Sequence, residues 1–333
     1  MTGLKVLFVG GGGIISAHCT RAAVEAGMDV SVLNRGANSL RQLPETVTTL
    51  VADSRSKDAV LAAIGDQRFD AVVSWVNFTA DQVQQDIDIF SGRTDQYVFI
   101  SSASAYQTPP THMPVLESTP LKNPFWAYSR NKIACEDLLT SAYRGDGFPM
   151  TIVRPSHTYD ETMVPFDGGW TIVDRMRRGR PVIVPGDGTS LWTITHSRDF
   201  ANGFVGLLGK SAAIGEAFHI TGDEAPSWNQ IYRQIAAAAG VSNPNLVHVA
   251  SDAIAAADAE WGAALLGDKS HTMIFDNAKI RSIVPGYAAT IPFSEGAREI
   301  IAWHDAESDR RQVDDHLNVL MDRLAAAYGP RPL

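Results

Sequence analysis

The sequence predicts an α/β protein that is built around a doubly wound parallel sheet. Short apolar runs alternate with helical patterns from the N-terminus to about residue 155. The first apolar run ends in four consecutive glycines, and the alternation weakens beyond residue 155. Strands that alternate with helices in this way are typical of parallel sheets with helices on both faces. Such sheets bind ligands beyond the carboxyl ends of their strands.

The first unit is a strand, a glycine turn, a helix and a second strand. Residues 4–9 are apolar, residues 10–13 are glycines, residues 14–26 have a helical pattern that Gly27 ends, and residues 30–33 form the next strand. This is the context that a dinucleotide-binding turn requires. The glycines let the backbone approach a pyrophosphate, and the helix N-terminus supplies free N–H groups.

The spacing within this turn is Gly10-x-x-Gly13-x-x-Ser16. It predicts that Gly10, Gly13, Ile14 and Ile15 contact a dinucleotide. A glycine-rich turn that binds no nucleotide is the other interpretation of the same residues.

The end of the second predicted strand bears on which dinucleotide is bound. In an NAD site, an acidic residue at this position accepts hydrogen bonds from the ribose hydroxyls. Here the position holds Asn34, and Arg35 follows it. A guanidinium without a carboxylate suits a 2′-phosphate, so we expect both residues to contact NADP, with NAD as the alternative. A solvated turn residue is the other interpretation of Arg35.

The alternation continues through three more strands. Residues 47–51, 70–76 and 96–101 are predicted strands, and residues 58–64 and 81–90 are the predicted helices between them. Because these strands are expected to run parallel, their carboxyl ends meet at one edge of the sheet.

Polar residues follow those strand ends. Asp53 and Ser54 come after the third strand, Val76 and Asn77 lie at the end of the fourth, and Ser102 follows the fifth. We expect the first four to contact the cofactor, with the Asp53 carboxylate near the adenine edge. Ser102 is a catalytic candidate, and a hydrogen-bonded strand-end hydroxyl is its alternative interpretation.

Tyr128 and Lys132 lie one turn apart on a predicted helix, residues 126–143, and therefore share a face. An ammonium at Lys132 would favour the phenolate of Tyr128 and lower its pKa toward neutrality. Such a tyrosine is a general base for alcohol oxidation and a general acid for carbonyl reduction. The Pro-rich residues 107–124 before this helix predict a loop on the substrate side. An exposed helix pair is the other interpretation of the Tyr–Lys spacing.

The C-terminal half shows fewer regular elements. Residues 197–208 and 227–239 have helical patterns, and residues 217–220 form a strand. Residues 252–266 and 309–328 are also predicted to be helices. No internal repeat is present.

Composition and charge exclude several classes of function. The chain has 37 acidic and 28 basic residues, and its net charge of −9 argues against a nucleic-acid surface. Cys19 and Cys135 lack a partner spacing, so we expect buried free thiols, and no metal-binding motif occurs. No apolar stretch reaches membrane-spanning length, and no signal peptide precedes the first strand. We therefore expect a cytoplasmic protein without a membrane or nucleic-acid partner.

Together these motifs resemble the extended branch of the short-chain dehydrogenase/reductase superfamily, the NAD-dependent epimerase/dehydratase family. The resemblance covers nearly the whole chain. Its motifs are the Gly10/Gly13 turn, Asp53, Ser102, Tyr128-x-x-x-Lys132, Arg154-Pro155, Gly186-Asp187-Gly188 and His196-Ser197-Arg198-Asp199. It implies a Rossmann-type NAD(P)-binding domain at residues 1–158, with a later contribution near residues 196–222. Residues 159–195 and 223–333 would form a smaller α/β substrate-binding domain.

The resemblance also implies a role for each motif residue. Tyr128 would be the catalytic acid/base, and Lys132 would lower its pKa and hold the nicotinamide ribose. Ser102 would hydrogen-bond the reacting oxygen, while the cofactor carries the hydride. Pro155 is expected to contact the cofactor. The residues expected to contact the substrate are Ser104, His157 and Trp192.

Three positions depart from the family pattern. Ser16 replaces the third glycine of the turn. Dehydratases carry Asp-Glu where this chain has Ala103 and Ser104, so we do not expect sugar dehydration. Nucleotide-sugar members carry an arginine where we align Trp192, whose indole could stack on a sugar ring. Arginines within residues 175–178 could supply charge instead, so a nucleotide-sugar substrate stays open.

We therefore predict an NAD(P)-dependent epimerase or oxidoreductase that acts on a sugar or sugar-like hydroxyl or ketone. Arg35 favours a reductase that exchanges NADP, and the resemblance favours an epimerase that retains its cofactor. One alternative is an NADPH-dependent reductase of a non-sugar carbonyl. Another is a non-catalytic nucleotide- or RNA-binding protein, because some members of the fold carry a similar Asn-Arg-Gly segment. A homodimer is also left open.

Overall fold

The computed structural model describes residues 3–36 and 40–329. The strands there are β1 (Lys5–Val9), β2 (Asp29–Asn34), β3 (Thr48–Val51), β4 (Ala71–Ser74), β5 (Tyr97–Ile100), β6 (Met150–Pro155), β7 (His157–Tyr159), β8 (Val182–Pro185), β9 (Ile194–His196), β10 (Ala217–Ile220) and β11 (Leu246–Val249). The α-helices are α1 (Ser16–Glu25), α2 (Lys57–Ile64), α3 (Ala80–Phe90), α4 (Ala127–Asp146), α5 (Trp170–Arg177), α6 (Ser197–Val205), α7 (Trp228–Ala238), α8 (Ser251–Ala257), α9 (Ala259–Ala264), α10 (Ala278–Ile283), α11 (Phe293–Ala306) and α12 (Asp315–Tyr328). The predicted domain bounds also include residues 1–2, 37–39 and 330–333, which lie outside the described residues.

The main sheet has seven strands in the order β10-β6-β5-β4-β1-β2-β3, and all of its pairings are parallel. This confirms the predicted fold class. The strand order reverses at β1, which pairs with β2 on one side and with β4 on the other. A crevice forms at such a switch point, beyond the carboxyl ends of the strands. The glycine turn after β1 therefore lies at the crevice.

Each face of the sheet has its own hydrophobic core. Neighbouring residues of a strand point to opposite faces, so Phe8 lies in one core and Leu7 in the other. The first core contains Cys19 of α1, and the second contains Cys135 of α4. Both cysteines are buried free thiols, as predicted. The sheet lies between them, so they cannot form a disulfide with each other.

The C-terminal half forms a third core. Helices α5, α7, α11 and α12 pack around a parallel pair of strands, β8 and β11. The chain crosses between the two halves more than once, because β10 returns to the edge of the main sheet beside β6. Across the described part of the chain, no helix combines the length and the apolarity that crossing a membrane requires.

Two predicted helices are wrong in their extent. The helix predicted over residues 252–266 is interrupted at Asp258, whose backbone is extended. Its carboxylate accepts hydrogen bonds from the amides of Glu260 and Trp261 and so begins α9. The helix predicted from residue 309 begins only at α12, where Asp314 accepts from the Leu317 amide and caps the first turn.

The prediction also omits α5, α10, α11 and the four short strands β7, β8, β9 and β11. These strands are three or four residues long, which is too short to show an alternating pattern. Helix α11 does carry a buried face of Phe293, Ala297, Ile300 and Ile301 at helical spacing. Pro292 stands immediately before its first residue.

Candidate active site

The glycine turn joins β1 to α1 at the crevice. Gly10 has a φ of +90°, and a Cβ at this position would lie 2.4 Å from Cγ1 of Val76, so only glycine fits. The amide of Gly13 donates a hydrogen bond of 2.7 Å to Oγ of Ser16. Ser16, at the third glycine position of the motif, therefore closes the turn with its hydroxyl and begins α1.

A cavity of about 540 Å³ lies against this turn, and we call it the dinucleotide pocket. Its lining includes many of the predicted site residues, namely Gly10, Gly13, Ile14, Ile15, Val76, Ser102, Tyr128, Lys132, Pro155 and His157. The bare backbone of the turn and the N-terminus of α1 suit a pyrophosphate. The residues present therefore fit a nicotinamide dinucleotide.

Lys132 is 2% exposed and lies one turn beyond Tyr128 on α4. Its Nζ donates to the backbone carbonyls of Asn77, at 2.7 Å, and Ile100, at 2.8 Å. Asn77 is held in turn by Asp86, whose carboxylate accepts from Nδ2 of Asn77 at 2.7 Å. Burial lowers the pKa of Lys132 to about 8.

The environment of Tyr128 differs from the expectation. Burial raises the pKa of Tyr128 to about 12, and a hydrogen bond with Ser102 offsets only part of this effect. Nζ of Lys132 lies 5.8 Å from the centre of the tyrosine ring and donates to carbonyls instead. The expectation that Lys132 brings the Tyr128 pKa toward neutrality is therefore wrong for this structure. The phenol is protonated at neutral pH and can act as a general acid.

Ser102 is positioned by a short chain of hydroxyl groups. It follows β5 and caps the 3₁₀ turn Ala103–Ala105, where its Oγ accepts from the Ser104 amide at 3.2 Å. Oγ of Ser102 also lies 2.9 Å from Oγ of Ser104, which accepts from Oγ of Ser129 at 2.8 Å. These contacts hold the Ser102 hydroxyl at the wall of the dinucleotide pocket beside Tyr128.

A second cavity, of about 210 Å³, shares Ser102, Tyr128 and His157 with the dinucleotide pocket. We call it the side cavity. Ser104 and Trp192 also line it, so the structure brings all three predicted substrate residues together there. The reacting hydroxyl groups therefore lie between a space for the cofactor and a space for a small ligand.

Two ring nitrogens in the side-cavity wall lack partners. Nε2 of His157 and Nε1 of Trp192 are buried and have no hydrogen bond within the described residues. Burial lowers the pKa of His157 to about 3, so its imidazole is neutral. Trp192 is 2% exposed and stacks on Trp228 with 5.9 Å between ring centres.

The π-helix Leu265–Lys269 brings two charged residues, Asp268 and Lys269, to the side cavity. A Cβ at Gly267 would lie 2.7 Å from Cβ of Trp126, so the glycine allows this close approach. Burial raises the pKa of Asp268 to about 7. The sequence pattern singles out neither residue, because both follow an Ala- and Leu-rich helical segment. The one sequence feature that could have indicated them is Gly267-Asp268-Lys269, which interrupts the helical pattern.

Five predicted cofactor residues lie outside the lining of the dinucleotide pocket: Asn34, Arg35, Asp53, Ser54 and Asn77. Asn34 Oδ1 accepts from the Gly36 amide at 2.8 Å, and Asp53 Oδ1 accepts from the Arg55 amide at 3.0 Å. Both side chains thus close their own turns. Arg35 is exposed and lies directly after β2.

Comparison with known proteins adds a family and several relatives. A family model described as the NAD dependent epimerase/dehydratase family matches residues 6–221. The 2'-dehydrokanamycin reductase of Streptomyces kanamyceticus is 26% identical over 297 residues, which are 85% of this chain and 80% of the reductase. The chloroplast stem-loop binding protein of 41 kDa b from Arabidopsis thaliana is 26% identical over 256 residues. These are 73% of this chain and 65% of that protein, so the chain spans just under two thirds of it.

Solved structures share the fold over most of the chain. A UDP-glucuronic acid 4-epimerase from Bacillus cereus, in complex with UDP-glucuronic acid and NAD, has a TM-score of 0.72 at 18% identity, and the match covers 91% of this chain and 99% of that chain. An epimerase from Methanothermobacter thermautotrophicus has a TM-score of 0.74 at 15% identity, covering 92% and 94%. At such identities the likeness shows the fold alone.

Proposed function

Since the chain belongs to the NAD-dependent epimerase/dehydratase family, we propose that it interconverts a ketone and a secondary alcohol on a sugar or sugar-like substrate. The observation that carries this proposal is the wall shared by the two cavities. Ser102 and Tyr128 line both the dinucleotide pocket and the side cavity. A substrate in the side cavity would therefore meet a bound dinucleotide at these two hydroxyl groups.

The chain's own groups manage the proton and the developing charge. A bound nicotinamide supplies the hydride in reduction and accepts it in oxidation. In reduction, Tyr128 would donate its proton to the carbonyl oxygen, and Ser102 would donate a hydrogen bond to the same oxygen. The ammonium of Lys132, held by two backbone carbonyls, would place a positive charge 5.8 Å from the centre of the tyrosine ring when the proton leaves. In alcohol oxidation, the same groups act in reverse.

We favour net reduction with NADPH. Tyr128, with a pKa of about 12, carries the proton that reduction needs at neutral pH. Asn34 replaces the carboxylate typical of NAD sites, and the exposed Arg35 follows it at the end of β2, where a 2′-phosphate would lie. The similarity to 2'-dehydrokanamycin reductase supports the same direction.

The side cavity supports a substrate without a diphosphate. Its charged lining residues are Asp268 and Lys269, one of each sign, and Trp192 stands where we align the arginine of nucleotide-sugar members. A carboxylate at Asp268 would accept hydrogen bonds from hydroxyl or ammonium groups of a sugar-like ring. The indole of Trp192 would contact the ring itself.

RNA binding is the second candidate, and only the similarity to a stem-loop binding protein favours it. The net charge of −9 weighs against it, as does the grouping of Ser102, Tyr128 and Lys132 at one cavity. Binding to RNA would weaken steeply as salt is raised. A binding assay with a stem-loop RNA at two salt concentrations therefore separates the two candidates.

The primary test joins cofactor identification to turnover. The protein is purified without added nucleotide and denatured, and any released nucleotide is identified by mass spectrometry. An empty pocket that binds NADPH more tightly than NADH supports the reductase. Stoichiometric NAD would instead indicate an epimerase that retains its cofactor.

Turnover is then followed as NADPH oxidation with a panel of keto sugars and amino-keto sugars. We expect Tyr128→Phe to reduce the rate by roughly 100-fold or more while NADPH binding is nearly unchanged, because only the proton donor is lost. The control is Tyr143→Phe, a partly exposed tyrosine on the same helix. Full activity of Tyr128→Phe would overturn the proposal.

A further inference from the structure

A third cavity, of about 730 Å³, lies between α1, α6 and α11. We call it the rear cleft. Its lining includes His18, Glu161, Arg198, Glu299 and Trp303. No residue of the proposed oxidoreductase site lines it.

Three potential metal ligands meet at the edge of the rear cleft. His18 comes from α1, whereas Asp160 and Glu161 directly follow β7. Nε2 of His18 lies 3.7 Å from Oδ2 of Asp160 and 3.8 Å from Oε2 of Glu161. All three ligand atoms lie within 4.8 Å of one another, and residues 3–36 and 40–329 contain no other such group of three.

The burial of these side chains shows that the cluster is incomplete as it stands. The His18 side chain is 9% exposed, and its Nε2 is buried without a hydrogen-bond partner among the described residues. The Asp160 side chain is fully buried, and that of Glu161 is 33% exposed. A buried polar atom without a partner is uncommon, and two adjacent carboxylates repel each other. One bound cation would resolve both.

The surrounding contacts orient Asp160. Nε of Arg41 donates to Oδ2 of Asp160 at 2.5 Å, and Oγ1 of Thr162 donates to Oδ1 at 2.7 Å. Hydrogen bonds of this kind are typical of carboxylates that bind a metal. Two carboxylates face one guanidinium here, so negative charge remains to attract a cation.

The neighbouring histidine, His196, already has a hydrogen-bond partner. The His196 ring lies 6.2 Å from that of His18, but its Nε2 contacts Oε2 of Glu299 at 3.1 Å. Glu299 also pairs with Arg198 at 2.5 Å. These contacts leave His18, Asp160 and Glu161 as the ligand set.

We propose that His18, Asp160 and Glu161 bind one divalent transition-metal ion, such as Zn²⁺ or Mn²⁺, at the edge of the rear cleft. One imidazole and two carboxylates suit these ions, whose ligands lie about 2.0–2.2 Å from the metal. Two atoms at that distance from a common ion are separated by about 3–4 Å, which matches the 3.7 Å and 3.8 Å from His18 to the two carboxylates. His18 and Glu161 line the cleft, so the remaining coordination positions would face it.

The test measures binding of Zn²⁺ alone, without turnover. Equilibrium dialysis followed by elemental analysis gives the stoichiometry and the dissociation constant for the full chain and its variants. We expect one equivalent in the native protein and at least a tenfold weaker affinity in His18→Gln and in Glu161→Gln. The matched control is His316→Ala, because His316 also lies 3.8 Å from an aspartate, Asp258, but is 83% exposed.

Glu161→Gln keeps the result interpretable if His18→Gln fails to fold, because the Glu161 side chain is 33% exposed whereas that of His18 is 9% exposed. Circular dichroism checks that each variant is folded, and the visible absorption of bound Co²⁺ reports the coordination of the site. Absent or non-stoichiometric binding by the native protein overturns the proposal. Equal affinity in all variants, or loss in His316→Ala alone, also overturns it. None of these outcomes bears on the oxidoreductase proposal.

Discussion

The pKa values of Tyr128 and Lys132 move in opposite directions, and burial is the main cause of both shifts. Tyr128 therefore stays protonated to about pH 12, while Lys132 loses its proton near pH 8. Only the protonated lysine would place a positive charge near Tyr128, 5.8 Å from the ring centre, as the tyrosine gives up its proton during reduction. We expect the rate of carbonyl reduction to be constant below pH 8 and to fall as the pH rises through about 8.

A pH–rate profile at saturating NADPH checks this expectation. The same profile measured under single-turnover conditions excludes cofactor release as the cause of the fall. A reduction rate that stays constant to pH 10 would contradict the role given to Lys132.

The proposed preference for NADPH rests on Arg35. We expect Arg35→Ala to weaken NADPH binding by roughly tenfold and NADH binding much less, because a charged hydrogen bond to the 2′-phosphate is lost. Arg55→Ala is the control, since Arg55 is an exposed arginine beyond the next strand end. Fluorescence titration with each nucleotide gives the two dissociation constants. Equal loss for both nucleotides would show that Arg35 does not contact the phosphate.

Helix α4 carries Tyr128 and Lys132 of the proposed site, and a buried ion pair joins it to the sheet. Glu136 lies one turn beyond Lys132 and pairs with Arg154 of β6 at 2.6 Å, with both side chains almost fully buried. Removing one partner leaves a buried charge without compensation. We expect Arg154→Met to lower the free energy of unfolding by about 3–5 kcal/mol, measured by urea denaturation.

The exposed pair of Arg68 and Asp95 provides the control for this measurement. Its side chains are 63% and 71% exposed, so Arg68→Met should cost less than about 1 kcal/mol. The double variant Glu136→Met/Arg154→Met should recover much of the lost stability, because no unpaired charge remains. A loss in Arg154→Met no larger than in Arg68→Met would contradict the assigned role.

The sequence predicts the elements of the main sheet well because strands such as Lys5–Val9 are buried on both faces and form continuous apolar runs. It also predicts the residues next to those strand ends, including Gly10 and Ser102. It does not reveal Asp268 or the rear cleft. Those groupings depend on how distant segments pack, and neither the spacing of His18 from Asp160 nor the pattern around Asp268 indicates a shared site.

At the scale of the whole molecule, the two halves are linked by several chain crossings. Residues 159–195 belong to the C-terminal half, yet β10 returns to the main sheet before the chain leaves it again. We therefore expect calorimetry to show one unfolding transition, because neither half can open without disturbing the other. Unfolding curves recorded by far-ultraviolet circular dichroism and by tryptophan fluorescence should coincide. Two separate transitions would contradict this expectation.

The return of β10 also affects synthesis. Strand β6 leaves the ribosome roughly sixty residues before β10, and translation proceeds at about 5–20 residues per second. For several seconds, the nascent sheet therefore has an unpaired edge at β6. Open edges of this kind pair readily with other strands. The exposed β6 edge thus makes aggregation a risk during translation. A chaperone that covers this edge would increase the yield of folded chains.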